Sequence, residues 1–183
     1  MLSGIDKKLL YRSLLKILIA VGLSFVIYAF VADYLTETDK KPDEDYIQVD
    51  IGPLGRGQDM RVRWDGRSLI ILNRSVETIE HLRSSTEGLA DPYSNLSRQP
   101  DFAQHPLRSS RDDFLITWLP ASPAGCGFEY EPRVEARTGY LLDTCTGDQY
   151  DLSGRQFGEA GKGKNLDIPE YRWLGPDVVV IFK

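Results

Sequence analysis

YIQVDIGPLGRGQDMRVRWDGRSLIILN, residues 46–73, carries the alternation that decides the fold. In YIQVDI, Ile47, Val49 and Ile51 fall on one face, as a half-buried strand requires. In MRVRW, Met60, Val62 and Trp64 share one face, and Arg61 and Arg63 share the other. Asp65-Gly66 then supplies the residue types of a two-residue hairpin turn, whose central positions need positive φ. SLIILN returns as the partner strand. Beyond it, Ser75 is placed to cap a short helix with Val76, Ile79 and Leu82 on its buried side.

Toward the C-terminus, residues 84–112 form a long polar stretch rich in Ser, Asp, Pro and Arg. A loop of that length in a compact domain is either functional or well packed. Strands resume at FLITWL (114–119) and GYLL (139–142), and VVVIF (178–182) follows a Gly175-Pro176-Asp177 turn. The expected head is therefore mostly β, with antiparallel strands and one helix, in a small sandwich or layered sheets.

Toward the N-terminus, Leu14 to Val31 reads LLKILIAVGLSFVIYAFV. An apolar run of about 20 residues crosses a bilayer core. Lys16 is close enough to one end to snorkel, and Tyr28 and Tyr34 sit near the other as interface aromatics do. Lys7, Lys8, Arg12 and Lys16 lie at the leading side; Asp33, Glu37, Asp39, Asp43, Glu44 and Asp45 follow. The positive-inside rule puts residues 1–13 in the cytoplasm and the head outside it. A cleaved signal peptide is the competing reading. No convincing small-x-small site follows Val31, and the run is long for a signal, so a retained anchor is expected. The domain plan is a cytoplasmic N-terminus (1–13), a transmembrane helix (14–35), a charged tether (36–45) and a head (46–183). The tether TETDKKPDED has no apolar face and cannot pack.

The chain has 183 residues and a formal net charge of −5, which argues against a nucleic-acid partner because phosphate binding needs a basic face. Its two cysteines, Cys126 and Cys145, and two histidines, His81 and His105, match no common zinc spacing. The histidines read as loop or helix surface residues. No Ser-His-Asp, Cys-His or zinc constellation supports an enzyme, so no catalytic residue is expected.

The quoted opening resembles that of the Rieske iron–sulfur subunit of cytochrome bc-type complexes. In that family an "xVDxxxLxxGQ" strand leads into a "VxWxGxPxxIxxRT" hairpin and a helix. LADPYSNLSRQPDFAQHPLRSSRDDFLITWL resembles the family's next segment, "LxDP…Q…RS…FLV". QYDLSGRQFGEAGKGKNLDIPEYRWLGPDVVVIF resembles its closing run, "HYDxSGRxxxGPAPxxLxVPxYxFxxxxxxxI". The likeness spans residues 46–183, with the anchor where the family places it. It implies a Rieske-like antiparallel β-sheet head on a transmembrane helix in a bacterial inner membrane. The N-terminus would be cytoplasmic and the head periplasmic.

The cluster loops depart from the pattern. Where the family has C-T-H-L-G-C, this chain has Ala121-Ser122-Pro123-Ala124-Gly125-Cys126; where it has C-P-C-H-G-S, this chain has Asp143-Thr144-Cys145-Thr146-Gly147-Asp148. The four iron-ligand positions are thus Ala121, Pro123, Asp143 and Thr146. Two thiolates and two imidazoles are replaced by two side chains without donors and two hard oxygen donors. No cluster or other cofactor, and no bound metal, is expected. Cys126 and Cys145 match the family's loop-tying disulfide pair, with two free buried cysteines as the other reading. Tyr150, which hydrogen-bonds toward the cluster in the family, is expected to be a packing residue. The family's Gly-Pro-Ala-Pro loop is Gly158-Glu159-Ala160-Gly161, without prolines and expected to be more mobile.

The resemblance implies a non-redox accessory subunit, not itself an enzyme. It would contact the membrane and integral membrane subunits of a respiratory complex of bc1 or terminal oxidase type, serving assembly, stability or regulation. One alternative is a pseudo-subunit standing in for the genuine Rieske protein on a bc-type complex. The other is a repurposed head binding a hard cation such as Ca²⁺ through Asp143, Asp148, Asp151 and Glu159.

Overall fold

The structure is a computed structural model and describes residues 7–37, 45–121, 126–132 and 139–183. It divides into two compact units, residues 1–44 and 45–183.

The first unit is helix α1, Lys7–Glu37. Within it, Leu10–Tyr28 has a mean hydropathy of 1.9 and is long and apolar enough to cross a membrane. Nineteen residues of helix span about 28 Å, close to the hydrocarbon thickness of a bilayer. That window overlaps the expected span 14–35 and takes in Leu10 and Tyr11 on the N-terminal side of Arg12. Thr36 and Glu37 complete α1 instead of opening the tether. Tether residues 38–44 lie outside the described residues.

The second unit is built from three antiparallel three-stranded sheets. The first has the order β1–β9–β8, from Tyr46–Asp50, Val178–Phe182 and Tyr171–Trp173. The second runs β2–β3–β4, from Asp59–Trp64, Arg67–Asn73 and Phe114–Leu119. The third runs β5–β6–β7, from Phe128–Glu131, Tyr140–Asp143 and Gln149–Asp151.

The β2–β3 hairpin pairs Trp64 with Arg67. Asp65 (φ 51°) and Gly66 (φ 73°) make its two-residue turn, the backbone pattern that Asp-Gly favours. Strand β3 lies between β2 and β4, and Leu69, Ile70, Ile71 and Leu72 are fully buried. A central strand covered on both faces explains a continuous apolar run where an edge strand alternates.

Helix α2 spans Val76–Ser84, and Ser75 Oγ accepts the Thr78 N–H at 3.2 Å. Its buried side chains are Thr78 and Leu82, while Val76 is exposed. Leu82 and the half-buried Ile79 face the core as expected, Thr78 joins them, and of the expected stripe Val76 alone turns outward.

The long polar stretch is packed. Leu89, Ala90, Ala103, Leu107, Arg108 and Ser109 are all buried within it. Three buried arginines staple the head together. Arg74 donates to the carbonyls of Leu107, Asp112 and Leu152 at 2.8–3.0 Å. Arg108 donates to the carbonyls of Ser153, Gly154 and Leu166 at 2.7–3.1 Å, and to Gln99 Oε1 at 3.0 Å. Arg155 donates to the Asp151 carboxylate at 2.7 Å and to the Leu82 carbonyl at 3.1 Å. Burial lowers the pKa of Arg74 and of Arg108 to about 10, and Asp151 is the leading influence holding each up.

Candidate functional site

The site to which the sequence directs attention is the pair of loops joined by Cys126 and Cys145. These cysteines form a disulfide with Cα atoms 5.3 Å apart, and both half-cystines are exposed. A second tie runs beside it. The Thr144 N–H donates to the Gly127 carbonyl, Thr144 Oγ1 accepts from the Gly127 N–H, and the same hydroxyl lies 2.9 Å from the Gly127 carbonyl.

The β6–β7 turn closes on itself. The Asp143 N–H donates to the Asp148 carbonyl (2.9 Å), and the Gly147 N–H donates to the Asp143 carbonyl (2.8 Å). Gly147 has φ 78°, a conformation that β-branched residues avoid. Asp143 is buried, and its Oδ1 accepts the Cys145 N–H at 2.8 Å. Thr146 is exposed, and its hydroxyl donates to Asp148 Oδ2 at 2.8 Å. Ala121 is exposed two residues beyond the end of β4, and Pro123 lies outside the described residues. Both oxygen-bearing side chains at the expected ligand positions thus serve the local turn.

The acidic quartet proposed for a hard cation is not brought together. Asp143 turns inward onto Cys145 N–H. The Asp151 carboxylate accepts from the Ser153 N–H, the Arg155 N–H and Arg155 Nε. Glu159 pairs with Lys162 at 2.8 Å on the surface. Among the described residues, no group of three His, Cys, Asp or Glu side chains is arranged to hold a metal ion. His81 is exposed on α2, and His105 Nε2–H donates to the Ser109 carbonyl at 2.6 Å.

Tyr150 is 5% exposed, with its ring 6.0 Å from that of Phe128. Burial pushes its phenol pKa up to about 12, helped by the carboxylates of Asp148 and Asp143. The loop after it is tied down: the Gly158 N–H donates to Gly88 O, the Gly161 N–H to Ala90 O and the Lys164 N–H to Gln156 Oε1. Hydrogen bonds to the 88–90 segment thus anchor the loop that lacks the prolines.

Two features escaped the reading of the sequence. One is the buried arginine network, whose outward signal is that Arg74, Arg108 and Arg155 each stand where the quoted family pattern has an arginine. The other is an open groove of about 480 Å³ at the tip, where Arg61, Arg63 and Cys126 meet.

No family model matches the chain. Curated relatives match most of it. The ubiquinol–cytochrome c reductase iron–sulfur subunit of Allochromatium vinosum is 28% identical over 169 residues, covering 88% of this chain and 81% of the relative. The protein of that name from Bradyrhizobium diazoefficiens is 26% identical over 164 residues, covering 88% and 86%. A chain from a structure titled hyperthermophilic respiratory Complex III aligns with 15% identity and a TM-score of 0.42, covering 87% of this chain and 97% of that one.

Proposed function

We propose that this chain, a homologue over most of its length of ubiquinol–cytochrome c reductase iron–sulfur subunits, is a non-redox subunit of a membrane respiratory complex. In this reading α1 anchors it in a bacterial inner membrane with the N-terminus cytoplasmic and the head periplasmic, and the head serves assembly, stability or regulation.

The observation that carries the reading is the donor set at the tip. A Rieske-type [2Fe–2S] centre needs two thiolates on one iron and two imidazoles on the other. Ala121 and Pro123 offer no donor atom. Asp143 gives its buried carboxylate to Cys145 N–H, and Thr146 gives its hydroxyl to Asp148. The two cysteines are committed to each other. These residues do not fit the cluster, and no electron-transfer step is derived through one.

The test is purification of the full chain from membranes in mild detergent. Iron analysis and electron paramagnetic resonance of the reduced sample should find no stoichiometric iron–sulfur signal. Mass spectrometry of the co-purifying proteins should find integral membrane subunits of a respiratory complex. A stoichiometric, reducible cluster overturns the non-redox reading. A preparation with no respiratory partner overturns the subunit reading. Recovery with a bc-type complex lacking its own iron–sulfur subunit would identify a substitute for that protein.

A further inference from the structure

The groove at the tip opens between the end of the β2–β3 hairpin and the start of β5. Arg61, Arg63, Arg67, Ser68, Pro120 and Cys126 are among its lining residues, and no carboxylate lines it among the described residues. That is unusual in a chain with 27 acidic and 22 basic side chains. Arg61 and Arg63 are two apart on β2, so they leave the same face, and both are exposed. Arg61 lies 3.5 Å from Asp59, and Arg63 makes no ion pair among the described residues. The Arg67 guanidinium is held 4.0 Å over the Trp118 ring.

The two half-cystines sit on segments of different charge. Cys126 lines the arginine groove, and Cys145 does not. Cys145 sits on the turn that carries Asp143 and Asp148, with its own N–H on the Asp143 carboxylate. The sulfur on the accessible, cationic side is the one an entering anionic thiol meets first. Thiol–disulfide exchange starts with attack by a thiolate, so its rate depends on access and on the field met by that anion.

We infer that the Cys126–Cys145 bridge is a thiol–disulfide exchange site that admits an anionic thiol through the Arg61/Arg63 groove, with Cys126 as the sulfur attacked. The incoming thiolate bonds to Cys126 Sγ as the Cys126–Cys145 bond breaks. The electron pair leaves on Cys145 Sγ, which takes a proton from solvent. A second thiolate then attacks the outer sulfur of the mixed disulfide and releases Cys126 as a thiol. The bridge gains two electrons, and two external thiols are oxidised to one disulfide. The Thr144–Gly127 hydrogen bonds do not involve the sulfurs, so they hold the two thiols close for reoxidation. This inference stands whichever complex the chain joins.

The test uses the full chain in detergent at low salt, with glutathione as an anionic thiol and cysteamine as a cationic one at matched thiolate concentration. Exchange should proceed without denaturant, and peptide mapping should find the glutathione adduct on Cys126. Glutathione should outpace cysteamine by about threefold or more, the direction set by steering into a cationic cleft. High salt should erase that advantage in the wild-type protein. The double variant Arg61→Gln/Arg63→Gln should erase it as well. An adduct on Cys145, a bridge that yields only in denaturant, or equal rates for the two thiols would overturn the inference.

Discussion

Replacing Asp151 by Asn keeps the side chain's shape and removes its charge. The Asn carbonyl still accepts the Ser153 and Arg155 N–H groups, which sit 2.8 and 2.9 Å from Oδ1. Its NH₂ group then faces Arg155 Nε–H, which in the wild type lies 2.7 Å from Oδ2. Two donors meet, and Arg155 is fully buried. Removing one partner of a buried ion pair costs about 3–5 kcal/mol because it strands the other charge. Asp151 also offsets part of the burial of Arg74 and Arg108, so its loss is felt by all three guanidinium groups. The assay is urea unfolding of the full chain in detergent, followed by tryptophan fluorescence. With a slope of roughly 2 kcal/mol per molar urea, the midpoint should fall by about 2 M. Adding Arg155→Met to Asp151→Asn removes the stranded charge and should recover part of the loss. A shift below about 0.5 M for Asp151→Asn would refute the view that one carboxylate supports three buried guanidinium groups.

Tyr150→Phe should remove the component of an ultraviolet difference titration that ionises at about pH 12. An unfolded tyrosine loses its proton near 10 while the folded one holds it to about 12. The unfolded state therefore carries fewer protons in that window, and the Tyr150 contribution is complete below pH 10 and declines as pH rises through 10 to 12. Ser75→Ala should cost about 1 kcal/mol in the same urea assay, the usual worth of a helix N-cap. Cys145→Ser opens a loop with a sequence separation of 19 and should cost about 3 kcal/mol by the chain-entropy model. Gly163→Ala would place a Cβ 2.6 Å from the Ala90 Cβ and 2.8 Å from Gln156 Oε1, and should cost about 1–3 kcal/mol through overpacking.

The hairpin at residues 59–73 was legible because its two signals are local: period-two alternation and an Asp-Gly turn. Strands β5, β7 and β8 were not, because FEYE, QYD and YRW are short and polar, and their extended conformation comes from neighbours distant in sequence. The arginine network was hidden because Arg is almost never fully buried unless it is paired, and composition cannot show the pairing. The tip was legible only against the family pattern, since Ala121 and Pro123 become informative through the donors they lack. The part played by the Asp143 carboxylate was not legible, since an acidic residue beside a loop reads equally as a ligand or as a turn acceptor. The meeting of Arg63 with Cys126 joins positions far apart in the chain, which no local pattern reports.

The pattern of retained and altered residues has a physical basis in how the hydrogen bonds are divided. Arg74, Arg108 and Arg155 reach segments 82, 99, 107–112, 151–154 and 166, and none of their hydrogen bonds reaches the 143–148 turn. Gly154 belongs to that scaffold: it has φ 72°, and a Cβ there would lie 3.3 Å from Arg108 Nη1 and Leu166 Cβ. Within the turn, Asp143 bonds to Cys145 and Thr146 to Asp148, and the one side-chain bond that leaves it, from Thr144, goes to Gly127 and not to the arginine scaffold. Substitution at the tip is thus energetically separate from the scaffold. Thr146→Ala breaks only exposed hydrogen bonds that water replaces, and should change stability by less than about 1 kcal/mol. Combined with Asp151→Asn, it should add within about 0.5 kcal/mol, as independent sites do. A coupling well above that value would mean that tip and scaffold form one unit, and ligand positions could then not be exchanged without cost to the fold.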